Sequence, residues 1–372
     1  MVAGEASGDL LAGLLLQGLR RRWPTLQAVG IGGACMAAHG FEAWWPHDKL
    51  AVRGYVEVLR HYREIAAIRD ALAERVLRQR PQAFIGVDAP DFNLGLERRL
   101  KRAGIKTIHF VCPSIWAWRG GRARKMAASA DHVLCLFPFE PALLHAHGVA
   151  ATYVGHPLAD AIPLQPPRAA SRVALGLGEG DRVVAVLPGS RRSEIQTIAP
   201  RFLQAVALLH RQRSELRFVL PVAPGLRDLL EPLVAQHASG APLQLVDGQS
   251  HAVLAACDVT LIASGTATLE AALFKQPMVI GYRMHGLSWQ IMKRMRYQPW
   301  VGLPNILCRE FVVPELLQDD CRADKLAQAV LASLDDAAGR ARLRHRFEDL
   351  HLQLRRDTAR CATDAIAQVV QA

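Results

Sequence analysis

The chain has 372 residues, of which 51% are hydrophobic and 21% are charged, and its 45 basic and 34 acidic residues give a formal net charge of +11. This length and composition exclude a disordered chain and favour two globular domains. The longest apolar runs, such as the one at 183–187, have the length of a strand, so no transmembrane helix is predicted. The basic excess favours anionic partners, namely nucleic acid, acidic phospholipid or phosphorylated substrates.

Neither the N-terminus nor the cysteines indicate a secretory protein. The first ten residues have no basic start and contain two acids, so no signal peptide is predicted. The seven cysteines are scattered and include no C-x-x-C pair. We therefore predict reduced, cytoplasmic thiols, with neither a disulfide framework nor a zinc site.

Strands and helices alternate along the first half of the chain. A short strand is followed by a Gly-rich turn and a helix over 10–22, and the segment 56–76 has the apolar spacing of an amphipathic helix. The alternation predicts βαβ units around a parallel sheet, an α/β fold. Further strands are predicted at 26–33, 82–90, 105–113, 132–140 and 151–157.

The pattern restarts after a segment at 155–171 that holds four prolines and is suited to a linker. Further strands are predicted within 182–194, 217–225, 243–248, 258–270 and 276–283. We therefore predict two domains, 1–160 and 161–340, with a cleft between them and a helical tail at 341–372. The tail either returns to the first domain or pairs with a second subunit. In open parallel sheets ligands bind at the carboxyl ends of strands, so the informative residues are expected there.

Two strand ends in the second domain are predicted to bind an anion. Gly189, Ser190 and Arg191 lie where a strand turns into a helix, and free backbone N–H groups at a helix start favour phosphate. Gly265 and Thr266 repeat this arrangement. Glu270 follows one turn later, where its carboxylate could accept hydrogen bonds from the ribose hydroxyl groups. The alternatives are an ordinary turn with a solvated arginine and an acid that is favoured by the helix dipole. A Walker A loop is absent.

Acidic residues follow two strands of the first domain. The small residues around Glu5 and Ser7 allow close backbone approach, and Glu5 either contacts a sugar hydroxyl or caps the helix. Asp88 follows an apolar strand and is either a catalytic base or a cap that closes the strand. Asp91 is its nearest rival, with the alternative role of capping the next helix.

Two segments of the first domain are suited to a lipid surface. Trp116 and Trp118 alternate before Arg119 and further basic residues. The same residues would also suit stacking on nucleic acid, and core tryptophans beside a solvated basic helix would give the same pattern. The segment from Arg53 to Arg80, which contains the predicted helix at 56–76, is net basic, with seven arginines and four acids. The helix either packs on the core or lies on an anionic bilayer. Dispersed histidines and the lack of an Asp-x-Asp after a strand predict no metal site. The candidate membrane contacts on this helix are Val56, Leu59, Ile65 and Ile68.

Seven stretches, in chain order, carry a resemblance to one family. They read VAGEASGD, GVDAPDFN, PSIWAWR, LPGSRRSE, SGTATLE, VIGYRM and GLPNIL, and together they resemble the lipid-A-disaccharide synthases over nearly the whole chain. Two features depart from the family pattern. Met1 begins inside the expected first strand, and Cys112 stands where the family has a serine.

The resemblance implies a GT-B fold, with two Rossmann-like domains facing across a cleft, and an inverting transfer that needs no metal and no cofactor. The donor would be UDP-2,3-diacylglucosamine, the acceptor 2,3-diacylglucosamine 1-phosphate (lipid X), and the products a β-1,6-linked disaccharide 1-phosphate and UDP. It implies an acceptor and lipid-binding first domain and a UDP-sugar-binding second domain. It also implies a peripheral protein of the cytoplasmic face of the bacterial inner membrane, with no nucleic-acid partner.

The resemblance also suggests roles for individual residues. Asp88 would be the base and Arg191, with Gly189 and Ser190, would stabilise charge on the leaving diphosphate. Thr266 and Gly265 would assist, Glu270 would hold the ribose, and Arg283 and Asn305 would line the donor site.

Two other functions remain open at the level of sequence. A UDP-sugar 2-epimerase shares the GT-B architecture, and activity on water-soluble UDP-GlcNAc would favour it. A non-catalytic, peripheral lipid- or RNA-binding protein with a degenerate transferase fold is the second alternative. RNA binding with a steep salt dependence and no release of UDP would favour that one.

Overall fold

The computed structural model describes residues 1–46, 50, 55–116, 121–284, 286, 289–290, 293 and 297–371, without the side chains of residues 6 and 55–62. The chain divides into two compact units. The first comprises Met1–Asp160 together with Leu354–Ala372, and the second comprises Ala161–Gln353. The first unit is therefore discontinuous in sequence, because the chain leaves it once and returns.

The first unit is built on a parallel sheet of seven strands, as the alternating pattern predicts. Its order is β3-β2-β1-β4-β5-β6-β7. The third strand was not predicted: its residues are largely exposed or half-buried, and it pairs only along one edge. The strands are β1 (Val2–Ala3), β2 (Val29–Gly32), β3 (Glu42–Pro46), β4 (Ala83–Val87), β5 (Lys106–Phe110), β6 (His132–Cys135) and β7 (Ala151–Tyr153).

Helices cover both faces of this sheet. One hydrophobic cluster joins the first and last helices, with Leu15, Leu16 and Ile366 buried together. A second cluster lies on the opposite side and includes Leu72, Leu96 and the strand residue Phe84. The helices are α1 (Ala6–Arg22), α2 (Ala34–Ala37), α3 (Tyr55–Gln79), α4 (Pro90–Arg102), α5 (Arg122–Ser129), α6 (Glu140–His145) and α16 (Thr358–Gln371).

The second unit repeats the architecture with six parallel strands in the order β10-β9-β8-β11-β12-β13. Central strands such as β8 and β11 are buried along almost their whole length, which explains their uninterrupted apolar sequences. The strands are β8 (Arg182–Leu187), β9 (Leu216–Val222), β10 (Leu243–Asp247), β11 (Val259–Ala263), β12 (Met278–Tyr282) and β13 (Glu315–Leu317).

The helices of the second unit pack on its sheet around a core that includes Phe202, Phe218 and Leu261. Helix α7 contains the boundary between the units, and α15 leads back to the first. In the part of the chain that the structure describes, no helix is both long and apolar enough to cross a membrane. From this boundary onward the helices with described bounds are α7 (Pro157–Ala161), α8 (Arg168–Ala174), α9 (Arg192–Gln212), α10 (Arg227–His237), α11 (Ser250–Ala256), α12 (Thr266–Leu273), α13 (Leu303–Cys308), α14 (Ala323–Asp335) and α15 (Ala337–Leu354).

Both sheets reverse their strand order once, which is the mark of a Rossmann-like fold. In the first sheet the reversal lies between β1 and β4, and in the second it lies between β8 and β11. Helices after strands on either side of such a reversal lie on opposite faces, so a crevice opens at the carboxyl ends of the two central strands. The loops after β1, β4, β8 and β11 are therefore the positions at which each unit is expected to bind a ligand.

Candidate active site

The loop after β4 holds Asp88 in an unusual backbone conformation. Asp88 and Ala89 have φ angles of 51° and 42°, a left-handed region that residues other than glycine rarely occupy. Two hydrogen bonds fix this turn: the Asp88 N–H donates to the Phe110 carbonyl at 2.9 Å, and the Asn93 side-chain amide donates to the Asp88 carbonyl at 2.8 Å. A Cβ added to Gly4, in the loop after β1, would lie 3.2 Å from the Ala89 Cβ, so the two loops are in close contact.

The Asp88 carboxyl is half-buried, and its surroundings raise its pKa. Burial is the largest cause, and the negative charge of Glu5 acts in the same direction. The Ala89 backbone N–H and the charge of His109 oppose the rise. A carboxylate with a raised pKa accepts a proton more readily than an exposed one, which suits a general base.

Asp91, the rival of Asp88, has a different environment. It lies in the first turn of α4, and its side chain is 85% exposed. Both of its carboxylate oxygens accept hydrogen bonds from the Arg122 guanidinium, at 2.7 and 2.9 Å. Both oxygens contact the same guanidinium nitrogen, so the carboxylate is engaged in a surface ion pair and is not free to contact an acceptor hydroxyl. The geometry therefore favours Asp88 over Asp91.

The loop after β1 brings a second acid to the same edge of the sheet. Glu5 precedes α1 in an extended conformation, and its side chain makes no capping hydrogen bond to the helix, so the structure does not support capping by the carboxylate. Ser7 is exposed in the first turn of α1. Glu5 and Asp88 follow β1 and β4, the two central strands that flank the reversal of strand order.

Asp9 is a structural residue that the sequence did not single out. It is buried, and its carboxylate accepts hydrogen bonds from the backbone N–H groups of Gly33, Cys35 and Met36, at 2.7, 2.8 and 3.2 Å. It thereby ties the start of α1 to the start of α2. An acid in the first turn of a helix was visible in the sequence, but its distant partners were not.

In the second unit, the carboxylate of Glu194 contacts the backbone of the loop after β8. Gly189 has a φ of 120°, and a Cβ there would lie 2.6 Å from Glu194 Oε2. The Ser190 N–H donates to Glu194 Oε2 at 3.3 Å, and Arg191 donates to Glu194 Oε1 at 3.1 Å. The Arg191 side chain is still 57% exposed. Glu194 was missed, although an acid three residues into a helix is a known capping signal.

The loop after β11 is open. Gly265 and Thr266 are exposed, and a Cβ added to Gly265 would have no neighbour within 4 Å. Glu270 is 20% exposed on α12 and lies 3.3 Å from His251 Nε2. The hydrogen bond to Glu270 is the largest cause of a raised pKa at His251. His251 was not predicted, because it lies on α11, remote in sequence from the motif.

The two predicted anion-binding loops lie next to each other. Strands β8 and β11 pair in parallel, with Leu187 opposite Ile262, so both loops leave the same edge of the sheet. Arg283 follows β12, the next strand, and pairs with Asp319 at 3.4 Å. Gly189, Ser190, Arg191, Gly265, Thr266 and Arg283 thus all lie beyond the carboxyl ends of neighbouring strands, with Glu270 one turn into α12.

Asn305 lies in a different environment from the other candidates. It is fully buried, and its side-chain amide donates to the Val313 carbonyl at 2.9 Å and to Glu315 Oε1 at 2.8 Å. Its Oδ1 accepts from the Val313 N–H at 3.0 Å. In this structure Asn305 braces the chain after α13, and a contact with substrate remains a prediction.

The predicted lipid contacts that the structure describes are buried or half-buried in the first unit. Trp116 is 9% exposed, and its Nε1 donates to Glu140 at 3.0 Å, as expected for the core-tryptophan alternative. Ile65 and Ile68 are half-buried against the first unit's core. Trp118, Arg119 and the side chains of Val56 and Leu59 lie outside the described residues. A membrane role for these residues remains a prediction.

One group of side chains in the described part of the chain has the composition of a metal site. The ligand atoms of Cys112, Cys135 and Glu140 lie within 4.8 Å of one another and are buried. Both oxygens of Glu140 already accept hydrogen bonds, from Trp116 and from the Phe137 N–H. Burial raises the pKa of Glu140 to about 8, and the pKa of Cys135 is raised by its hydrogen bond to Cys112 and by burial. Protonated groups of this kind are poor metal ligands.

Comparison with known proteins assigns the family. The sequence profile of the lipid-A-disaccharide synthetase family matches residues 1–370. A lipid-A-disaccharide synthase of Albidiferax ferrireducens is 62% identical over 376 aligned residues, which cover 100% of this chain and 97% of that protein. The chain belongs to the lipid-A-disaccharide synthase family. One from Burkholderia pseudomallei is 55% identical over 372 residues, covering 100% and 96% of the two chains.

Solved structures show the fold. UDP-GlcNAc 2-epimerase from Neisseria meningitidis superimposes with a TM-score of 0.64 at 11% identity, over 98% of this chain and 96% of that one. WaaG, a glycosyltransferase involved in lipopolysaccharide biosynthesis, has a TM-score of 0.57 at 13% identity, over 98% and 97%. These likenesses confirm the predicted GT-B architecture. The family assignment confirms a glycosyltransferase of lipid A biosynthesis and does not favour the epimerase alternative.

Proposed function

We propose that this lipid-A-disaccharide synthase family member transfers 2,3-diacylglucosamine from UDP to the 6-hydroxyl of lipid X. The acceptor O6 forms a bond to C1 of the donor sugar, while the bond from C1 to the β-phosphate oxygen breaks and UDP leaves. Inversion at C1 gives the β-1,6 linkage. The observation that carries this proposal is Asp88, a half-buried carboxyl of raised pKa at the first unit's strand reversal.

Asp88 takes the proton from the acceptor hydroxyl as the new bond forms. A general base must lie within hydrogen-bond reach of that hydroxyl and must be ionised when the acceptor binds. The constrained turn supports this role, because the left-handed backbone and its two hydrogen bonds limit where the carboxyl can point. Glu5, in the loop after the neighbouring strand β1, binds a sugar hydroxyl of the same substrate in this proposal.

The second unit binds the UDP moiety in this proposal. Negative charge grows on the β-phosphate as UDP leaves, and Arg191 with the N–H groups of Gly189 and Ser190 stabilises it. Thr266 and the backbone N–H groups at the start of α12 bind the same diphosphate. The Glu270 carboxylate accepts hydrogen bonds from the ribose hydroxyl groups. Glu194 orients Arg191 and gives up the Ser190 N–H to the phosphate. Neither a metal nor another cofactor has a role in this scheme.

The protein acts as a peripheral protein of the cytoplasmic face of the inner membrane in the same proposal. Its net charge of +11 attracts it to an anionic bilayer, where the acyl chains of both substrates reside. Helix α3, which is 25 residues long, is the proposed membrane contact, and Leu72 and Val76 on its apolar face are already packed in the first unit's core. A homodimer remains part of the proposal.

The function is tested by the identity and stoichiometry of the products. Purified protein in detergent is incubated with UDP-2,3-diacylglucosamine and lipid X, with and without EDTA, and the lipid is analysed by mass spectrometry. We expect one disaccharide 1-phosphate for each UDP released, with no effect of EDTA. Parallel incubation with UDP-GlcNAc alone tests the epimerase. Conversion of that sugar to its 2-epimer, without disaccharide formation from the lipids, would contradict the proposal.

A further inference from the structure

A buried acid–histidine pair lies beneath the Asp88 loop and has no role in the scheme above. Glu97 Oε1, on α4, is 2.7 Å from His109 Nδ1, on β5. Both side chains are 0% exposed. Ionisable side chains are almost never fully buried unless they are paired, and the pairing here is with each other.

The pair packs directly against the backbone that leads into Asp88. In the pairing of β4 with β5, His109 is opposite Gly86, two residues before Asp88. A Cβ added to Gly86 would lie 2.2 Å from Glu97 Oε1, so the carboxylate occupies the space above this glycine. Asn93, one turn before Glu97 on α4, donates to the Asp88 carbonyl. The same helix thus carries the pair and holds the turn.

Stability alone does not account well for this cluster. Three of its buried atoms, Glu97 Oε2, His109 Nε2 and Asn93 Oδ1, have no hydrogen-bond partner among the described residues. Partly satisfied buried networks are costly, and well-packed hydrophobic residues of similar volume are commonly as stable or more so. A costly charged pair next to a functional carboxyl is more readily explained by an electrostatic role.

The charges around the pair favour an imidazolium. Burial alone would lower the pKa of His109, but the neighbouring Glu97 and, more weakly, Asp88 outweigh burial and raise it. In return His109 opposes the rise that burial and Glu5 cause at Asp88. Glu97 on α4, Asp88 after β4 and Glu5 after β1 are the charged groups that act on these two sites.

We propose that Glu97 and His109 form a positioning pair that keeps a positive charge beneath Asp88 and so keeps the Asp88 carboxylate ionised for acceptor binding. Glu97 supplies the counter-charge that allows the imidazolium to exist in the core. The inference rests on the proposed role of Asp88 as the base, and the pair itself does not touch the substrate.

The first test is the charge of His109 in the wild-type protein. Protein labelled with ¹⁵N-histidine is titrated by NMR from pH 5 to pH 9, and His109 is assigned by comparison with a His109→Gln sample. We expect both ring nitrogens of His109 to remain protonated at pH 7. A neutral ring at pH 7 would overturn the proposal, whatever the activity of any variant.

The second test is the pH profile of kcat/KM in a variant with an uncharged pair. Glu97→Gln and His109→Gln are combined, because removing one partner alone would leave a buried unpaired charge. Loss of the positive charge should shift the apparent pKa of the acidic limb upward by about one pH unit. Activity should recover towards the wild-type value at high pH. A uniform loss at every pH, with the limb unmoved, would show a purely structural role.

Two controls separate this inference from the proposed function. Glu140→Gln alters another buried glutamate of the same unit, one whose pKa of about 8 leaves it uncharged at neutral pH and which does not shift the pKa of Asp88. It controls for a change of packing and should leave the acidic limb of the profile in place. Asp88→Asn tests the base itself. If Asp88→Asn retains acceptor-dependent transfer and the wild-type limb, the proposed function of Asp88 fails. If Asp88→Asn is inactive but the double variant keeps the wild-type limb, only the positioning pair fails.

Discussion

At the scale of single residues, the environment decides which acids and bases are available for chemistry. Asp88 and Asp91 are three residues apart, yet one is half-buried in a strained turn and the other is exposed and paired with Arg122. The sequence showed both carboxylates, but it could not show the salt bridge that favours Asp88. Glu194 and His251 were missed for the same reason, because their contacts with the motifs arise from folding.

The role of Arg191 gives the first prediction. Arg191→Ala should lower kcat by about 10²-fold, since it removes a donor that stabilises the leaving diphosphate. The kcat of Arg191→Lys should lie between those of wild type and Arg191→Ala, because a lysine keeps the charge but not the planar guanidinium. Arg192→Ala, an exposed neighbour at the start of α9, is the matched control. Steady-state kinetics measure all three, and an Arg191→Ala enzyme with wild-type kcat would refute the assignment.

His156 provides a prediction on stability and pH. It is buried against Phe137, and burial lowers its pKa to about 4. The unfolded chain binds a proton near pH 6.5 and the folded chain does not, so this residue's stabilisation is lost as the pH falls from 6.5 towards 4. Between pH 7 and pH 5 the loss should be about 2 kcal/mol.

Urea unfolding at the two pH values measures this loss. The difference in unfolding free energy between wild type and His156→Gln should shrink by that amount on going from pH 7 to pH 5. The exposed His147, replaced by glutamine in the same way, is the control. A difference that is independent of pH would show that His156 has an ordinary pKa.

At the scale of elements, most of the fold was predictable because strands and helices alternate with clear apolar patterns. The helix over 56–76 is confirmed as α3, and the strand that precedes Asp88 is confirmed as β4. Two short strands, β3 and β13, were not predicted. Both are edge strands of largely half-buried or exposed residues, so their sequences lack the apolar run that marks the central strands.

Two glycines in these elements should respond differently to alanine. Gly265 lies in the open loop before α12, where an added Cβ would meet nothing within 4 Å. Gly265→Ala should therefore leave the unfolding free energy within about 0.5 kcal/mol of the wild-type value. If UDP approaches this backbone closely, the same change should weaken UDP binding. Calorimetry measures both effects, and unchanged UDP affinity would remove Gly265 from the site.

Gly86→Ala is the steric counterpart. The new methyl group would collide with the buried Glu97 carboxylate, at a cost of about 1–3 kcal/mol in unfolding free energy. Thermal or urea unfolding measures this cost. A fully stable Gly86→Ala protein would show that Glu97 can move away from β4.

At the scale of the whole molecule, two Rossmann-like units place their candidate residues at equivalent positions, the loops that flank each reversal of strand order. The rule that ligands bind at strand ends was enough to predict this placement from sequence. It was not enough to predict what surrounds each residue. Asn305 and Trp116 are both buried and hydrogen-bonded within the protein, which their motifs did not reveal.

The net positive charge leads to a prediction for membrane binding. Association with vesicles that contain anionic phospholipid should weaken markedly as salt is raised from about 0.1 M to about 0.5 M, because added salt screens surface charge. Vesicles of zwitterionic lipid are the control and should bind weakly at both salt concentrations. Sedimentation with the vesicles measures the bound fraction. Equal binding to both kinds of vesicle, at either concentration, would contradict an electrostatic contribution.

The central claim is that Asp88 is the base, and the single-turnover rate of disaccharide formation tests it most directly. Rapid-quench measurements would compare wild type with Asp88→Asn and Asp91→Asn, each saturated with donor and lipid X. The account predicts that Asp88→Asn slows transfer by at least about 10²-fold with unchanged affinity for UDP, while Asp91→Asn stays within a few-fold of wild type. Transfer at the wild-type rate by folded Asp88→Asn would contradict it.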